Sequence, residues 1–153
     1  MSKVLIPAVF VAAMASLAIA AAAMAGPRQT TRAATVTAHT SRYGRVLFDG
    51  SGRALDLFKR DRGAKSTCSG ACAKAWPPFL TTGSPKAGTG THASLVGTTV
   101  RADGKRQVTY AGHPLYYFVS DRKPGQTTGQ GVNQFGAPWW IISAAGREIH
   151  RHG

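Results

Sequence analysis

Two stretches of the chain share one arrangement of apolar and polar positions. Residues 45–61 read RVLFDGSGRALDLFKRD, and residues 106–121 read RQVTYAGHPLYYFVSD. Each stretch has an apolar strand, a glycine turn, a second apolar strand and a closing aspartate, which is typical of a β-hairpin. The matching positions are Gly52 and Gly112, Leu55 and Leu115, Phe58 and Phe118, and Asp61 and Asp121. The sequence therefore predicts an internal repeat.

The second copy also predicts which side chains share a face. Because side chains alternate along a strand, Tyr116 and Phe118 should point to one side, and Leu115 and Tyr117 to the other. Asp121 follows at the end of the strand, where an aspartate accepts backbone N–H bonds and sets a turn. Asp61 holds the same position in the first copy.

The remaining pattern predicts short elements. Residues 98–105 end in an Asp-Gly pair followed by a lysine, a hairpin signal, and should pair with residues 107–110. Residues 139–142 form an apolar strand, residues 71–76 one or two helical turns, and residues 81–91 a long loop. Trp76 and Trp139 follow their repeats at nearly the same offset. The predicted fold is all-β, with two related hairpin repeats packed as a small sandwich or barrel-like domain and one short helical turn near Cys68–Trp76.

The first residues resemble an export signal. Lys3 precedes an apolar run from Val4 to Ala23, which closes with a small-x-small pattern at Ala23-Met24-Ala25. This layout predicts a cleaved signal peptide over residues 1–25, with a retained membrane anchor as the alternative. We expect a flexible basic linker over residues 26–40 and a single β domain over residues 41–150. The location is therefore predicted to be secreted or extracytoplasmic.

The charge of the chain points to an anionic partner. Lys and Arg total 19 against 6 Asp and Glu, which gives a formal net charge of +13. Such an excess favours an anionic cell-envelope polymer or a membrane surface. A compositional bias toward Ala, Gly and Arg is the alternative explanation. Export argues against nucleic acid as a partner.

The only two cysteines, Cys68 and Cys72, predict a structural disulfide, because exported proteins meet oxidising conditions. A redox dithiol normally has a two-residue spacer, and here the spacer has three residues. A metal site would need His92 or His113 as further ligands. Haem attachment is excluded because Ala73, rather than a histidine, follows the second cysteine.

No catalytic, metal or cofactor site is predicted. The Ser-Gly pairs at Ser51 and Ser69 lack the setting of a catalytic serine. Asp61 and Asp121 would form a glycosidase-like pair only if the repeat symmetry brought them into one cleft. Repeated aspartates at strand ends are more often turn residues.

Several phrases in the same order resemble a known family. The hexapeptide Tyr116–Asp121 fits a Tyr-x-aromatic-x-x-Asp motif, and the phrases STCSGAC, AWPP, GKRQVTY and HPLY match as well. Together they resemble the bacterial secreted repeats and lipoproteins named for that motif, across residues 43–142. Asp56 departs from the motif, which has tyrosine there, and the lipid-accepting cysteine of many members is missing.

The resemblance implies an exported bacterial protein and brings no established activity. We therefore expect a non-enzymatic binding or structural module for an anionic or aromatic ligand. A redox or metal-handling accessory protein that uses Cys68 and Cys72 is the alternative. The candidates for a structural or ligand-binding role are the motif residues Phe58, Asp61, Trp76, Tyr116, Phe118, Asp121 and Trp139.

Overall fold

A computed structural model describes residues 33–150, and the predicted signal peptide lies outside this range. The elements are β1 (Thr35–Ser41), β2 (Gly44–Asp49), β3 (Asp56–Phe58), α1 (Ala71–Ala75), β4 (Lys86–Ala87), β5 (Val96–Val100), β6 (Arg106–Tyr110), β7 (His113–Pro114), β8 (Asn133–Gln134) and β9 (Ala137–Ile141). A 3-10 turn at Ala93–Leu95 precedes β5. The all-β prediction and the single short helix near the cysteines are confirmed.

The strands form three small sheets with the orders β2-β1-β4, β3-β9-β8 and β5-β6-β7. Within residues 33–150 these sheets do not close into a barrel. The predicted hairpin of β5 and β6 is present, but its turn is longer than a two-residue turn. Arg101 and Lys105 still pair through a 2.9 Å backbone bond, which leaves residues 102–104 as the loop. Gly104 has a φ of 78°, a conformation that favours glycine.

The predicted linker over residues 26–40 is wrong for its second half. Thr35–Ser41 form β1, which lies at the centre of its sheet between β2 and β4. Val36 and Ala38 are buried, while Thr37 between them is only partly covered. This period of two is the signal of a half-buried strand, although Thr and Ala made the segment resemble a tether. Residues 26–32 lie outside the described range.

The two repeats exchange the segments that follow Trp76 and Trp139. The segment after Trp76 pairs with the second hairpin, where the Val108 amide donates to Phe79 O at 2.8 Å. The segment after Trp139 pairs with the first hairpin, where the Leu47 amide donates to Ile142 O at 3.0 Å. Each repeat is therefore completed by the other, around an approximate two-fold axis.

The strands that meet on this axis are the two copies of the motif strand. Asp56 and Tyr116 occupy equivalent positions and exchange both backbone hydrogen bonds, each 2.9 Å long. Leu115 and Tyr117 pack in one core cluster, and Tyr116 and Phe118 pack in a second cluster that is rich in aromatic rings. The predicted alternation of faces is thus confirmed. No helix within residues 33–150 has the length and apolar character needed to cross a membrane.

Candidate functional site

Four aromatic rings of the motif stack in one column. The ring of Phe58 lies 4.0 Å from Trp139, Trp139 lies 4.0 Å from Trp76, and Trp76 lies 4.3 Å from Phe118. Each phenylalanine stacks on the tryptophan of the other repeat. Phe58 and both tryptophans are almost fully buried, and Phe118 is half-buried. Each such ring pair adds about 0.5–1.5 kcal/mol beyond the burial of its surface. The column therefore stabilises the core.

Asp61 and Asp121 set the turns that the sequence predicted for them. Asp61 Oδ1 accepts bonds from the Thr67 amide and hydroxyl at 2.7 and 3.0 Å. Asp121 Oδ1 accepts the corresponding bonds from Thr128 at 2.9 and 2.6 Å. The two aspartates thus hold equivalent loops, one in each repeat.

The motif tyrosine connects the two repeats. The Tyr116 hydroxyl donates to Asp61 Oδ2 at 2.7 Å and lies 2.7 Å from Ser66 Oγ. Burial, followed by the nearby Asp61 charge, raises the pKa of Tyr116 far above its usual value. The hydroxyl therefore stays protonated and serves as a fixed donor to a carboxylate of the other repeat.

The first repeat lacks this bond because Asp56 replaces the tyrosine. Asp56 is fully buried, and neither of its carboxyl oxygens has a hydrogen-bond partner within residues 33–150. Asp121 Oδ2, the counterpart of the oxygen that Tyr116 binds, is also buried and without such a partner. Burial raises the pKa of Asp56 well above its usual value, and the charge of Asp121 adds to this effect. Because aspartate replaces the tyrosine of the motif, the Asp56 carboxyl and Asp121 Oδ2 are buried in the core without hydrogen bonds from the described residues.

The disulfide between Cys68 and Cys72 is formed, as the sequence predicted, with a Cα–Cα distance of 5.3 Å. Both cysteines are buried against the aromatic core. No group of three or more His, Cys, Asp or Glu side chains within residues 33–150 is arranged to hold a metal ion.

Sequence reasoning missed a buried arginine beside the disulfide. The Arg101 guanidinium donates to Ser66 Oγ at 2.9 Å, to Gln107 Oε1 at 2.5 Å and to the Cys68 carbonyl at 2.6 Å. It thereby fixes the cysteine loop to the hairpin of β5 and β6. The residues next to Arg101 in the sequence do not predict its burial, because its three hydrogen-bond acceptors lie in other segments.

The corresponding surface of the first repeat is an open groove of about 670 Å³. One wall is the turn of the β1–β2 hairpin, including His39 and Arg42, and the other is the loop 124–128. Phe48 also lines the groove, and no acidic residue lines it. We call this feature the first-repeat groove.

These features define a small two-repeat all-β protein whose aromatic motif forms one of its core clusters. The chain belongs to a family described as a secreted repeat of unknown function, which matches residues 37–79 and 97–143. Each matched segment contains one hairpin together with the tryptophan whose following segment pairs with the other repeat. The family is described as secreted, in agreement with the predicted extracytoplasmic location. No curated protein and no solved structure matches the chain.

Proposed function

We propose that this protein is a non-enzymatic module that binds an anionic polymer of the bacterial cell envelope. The observation that carries the proposal is the nearly uniform positive charge of its surface. Asp103 is the only largely exposed acidic residue within residues 33–150. Exposed cations are present at Arg42, Arg45, Lys59, Arg60, Arg62, Lys65, Lys74, Lys86, Lys105, Arg106, Arg122, Lys123 and Arg147.

The acidic residues are buried, partly buried or paired with cations. Asp56 and Asp121 are buried, and Asp49 and Asp61 are partly buried and bound by amide and hydroxyl donors. Asp103 lies between two cations, and Glu148 pairs with Lys59 at 3.0 Å. Few carboxylates thus compensate the exposed cations, and a polyanion meets attraction from most directions.

The aromatic motif does not support binding of an aromatic ligand. Trp76, Trp139, Tyr116 and Phe58 are buried, so their faces are used inside the column. The buried disulfide likewise gives no support to the redox alternative. The anionic polymer is therefore the partner that the surface favours.

Cosedimentation of the mature chain with bacterial cell walls would test the proposal, followed by titration with a soluble uronic-acid polymer. We expect binding at low ionic strength that weakens steeply with added salt, because the charges involved are exposed. A neutral polymer of similar length, such as dextran, is the control. Equal binding to dextran, or no binding of either anionic polymer at low salt, would overturn the proposal.

Anionic lipid vesicles provide a separate arm of this experiment. The exposed large apolar side chains, Leu80, Val100, Val119 and Phe135, are spread over different segments, so no inserted apolar face supports a membrane. We expect the soluble anionic polymer to displace the protein from the vesicles by competition. Binding to vesicles that the polymer does not reduce would favour the membrane surface as the partner instead.

A further inference from the structure

The repeat symmetry gives the first-repeat groove a counterpart, and the two differ. In the second hairpin, Arg101 is the last paired residue before the turn, facing Lys105. In the first hairpin that position is Ser41, which faces Gly44. The loops opposite them are also equivalent, because Asp61 binds Thr67 as Asp121 binds Thr128.

The counterpart in the second repeat is a smaller pocket of about 430 Å³, and Arg101 forms part of its wall. Arg101 lies buried there and uses its guanidinium on three internal acceptors. Asp103, on the same turn, adds an exposed carboxylate next to this cation. That pocket therefore offers an anion less volume and no free guanidinium, and a carboxylate lines it.

The first-repeat groove is larger and has free cations beside it. Ser41 leaves open the position of the arginine side chain, and the Ser41 hydroxyl binds only its own turn. Arg42 and His39 are exposed on one wall, and Arg122 and Lys123 are exposed just before the loop that forms the other. The volume of about 670 Å³ lies in the range of about 300–1,000 Å³ that is usual for ligand sites.

We infer that the first-repeat groove is the specific subsite for the anionic polymer, holding a carboxylate- or phosphate-bearing sugar unit. This inference rests on the proposed function and locates it. Arg42 on one wall, and Arg122 and Lys123 beside the other, would contact the acidic group. The hydroxyl groups of Thr40 and Thr128, which line the groove, offer hydrogen bonds to the sugar.

A pair of matched double variants separates this subsite from general charge attraction. Arg122→Ala/Lys123→Ala removes two cations beside the groove, and Arg62→Ala/Lys65→Ala removes two cations from the equivalent loop of the other repeat. In both loops the hydrogen bonds of these residues use the backbone, so both folds should be retained. We expect the first variant to weaken polymer binding roughly tenfold and the second to weaken it about twofold or less.

For a further variant, the subsite and general charge attraction predict opposite changes in binding. Ser41→Arg supplies the side chain that narrows the counterpart pocket, while it raises the net charge by one. Closure of the groove should weaken binding of a short uronate oligomer, whereas general charge attraction should strengthen it. The thermal unfolding temperature of each variant checks that the fold is intact.

The outcomes distinguish the two proposals. Equal weakening by both double variants, or tighter binding by Ser41→Arg, would overturn the subsite and leave the proposed function standing. A wild-type protein that binds no anionic polymer would overturn the proposed function itself. Repeating the binding titrations of the wild type and the variants with a phosphate-linked polyol polymer and with a uronic-acid polymer shows which acidic group the groove prefers.

Discussion

Asp56→Asn should change how the stability of the protein depends on pH. In the folded chain Asp56 is fully buried, and both its oxygens lack hydrogen-bond partners within the described residues. Burial, and then the charge of Asp121, raise the pKa of the Asp56 carboxyl. In the unfolded chain the carboxyl titrates near its ordinary value of about 3.9. At a pH between the unfolded and the folded pKa, the Asp56 carboxyl is therefore protonated in the folded chain and ionised in the unfolded chain.

The direction and slope of the pH dependence of stability follow from this difference between the folded and unfolded pKa of Asp56. The contribution of Asp56 to stability is fully present below the unfolded pKa, and it is lost as pH rises toward the folded pKa. Between these two values the free energy of unfolding falls by about 1.4 kcal/mol for each pH unit. Asparagine has nearly the same shape and carries no titrating proton, so this part of the slope should disappear. Near pH 4 the two proteins should differ little, and the variant should become increasingly the more stable one above it.

Urea denaturation of both proteins at several pH values between about 4 and 7 measures this difference, with the disulfide kept intact. Glu148→Gln is a control of opposite sign. Burial of Glu148 acts to raise its pKa, but the Lys59 bond and charge outweigh it and lower the pKa, so its loss should destabilise above the unfolded pKa, by less than about 1 kcal/mol. Stability curves of wild type and Asp56→Asn that run parallel across this range would refute the reasoning.

Three further changes test the core. Trp139→Ala should cost about 3–5 kcal/mol of unfolding free energy in urea, since it breaks two ring stacks at once; a cost below 1 kcal/mol would contradict the column. Tyr116→Phe should cost about 1–3 kcal/mol by thermal unfolding, because Asp61 Oδ2 loses its donor; an unchanged melting temperature would show that the bond between repeats adds nothing. Cys68→Ala/Cys72→Ala should cost no more than about 2 kcal/mol and keep the far-ultraviolet spectrum, because the closed loop is short; global unfolding would contradict this.

The repeat and the faces of its strands could be predicted because a period of two and matching turn residues are local features of the sequence. Leu115 and Tyr116 lie in different cores as alternation requires. The aspartates at the strand ends also act locally, through loops of six or seven residues. Such features depend on neighbours in the chain, which a single sequence displays.

The features that were missed depend on distant segments. Thr35–Ser41 form a strand because β2 and β4 pair with both of its edges, and its composition alone resembles a tether. Arg101 is buried because the cysteine loop supplies two of its three acceptors. Ser41 holds the position of Arg101 in the first copy, and this equivalence depends on the pairing registers of both hairpins, which the sequence alone does not display.

The exchange of strands between the two repeats has a consequence for how such a protein arises and assembles. One copy alone has no strand of its own to cover its hairpin, so it would reach a complete core only as a homodimer of interlocked chains. Joining two copies in one polypeptide makes that association intramolecular and independent of concentration. It also lets the copies diverge, so that one hairpin can turn an arginine inward while the other keeps its surface open. Two separately produced halves, divided in the loop before β5, should accordingly reconstitute the fold when mixed and remain unstructured apart.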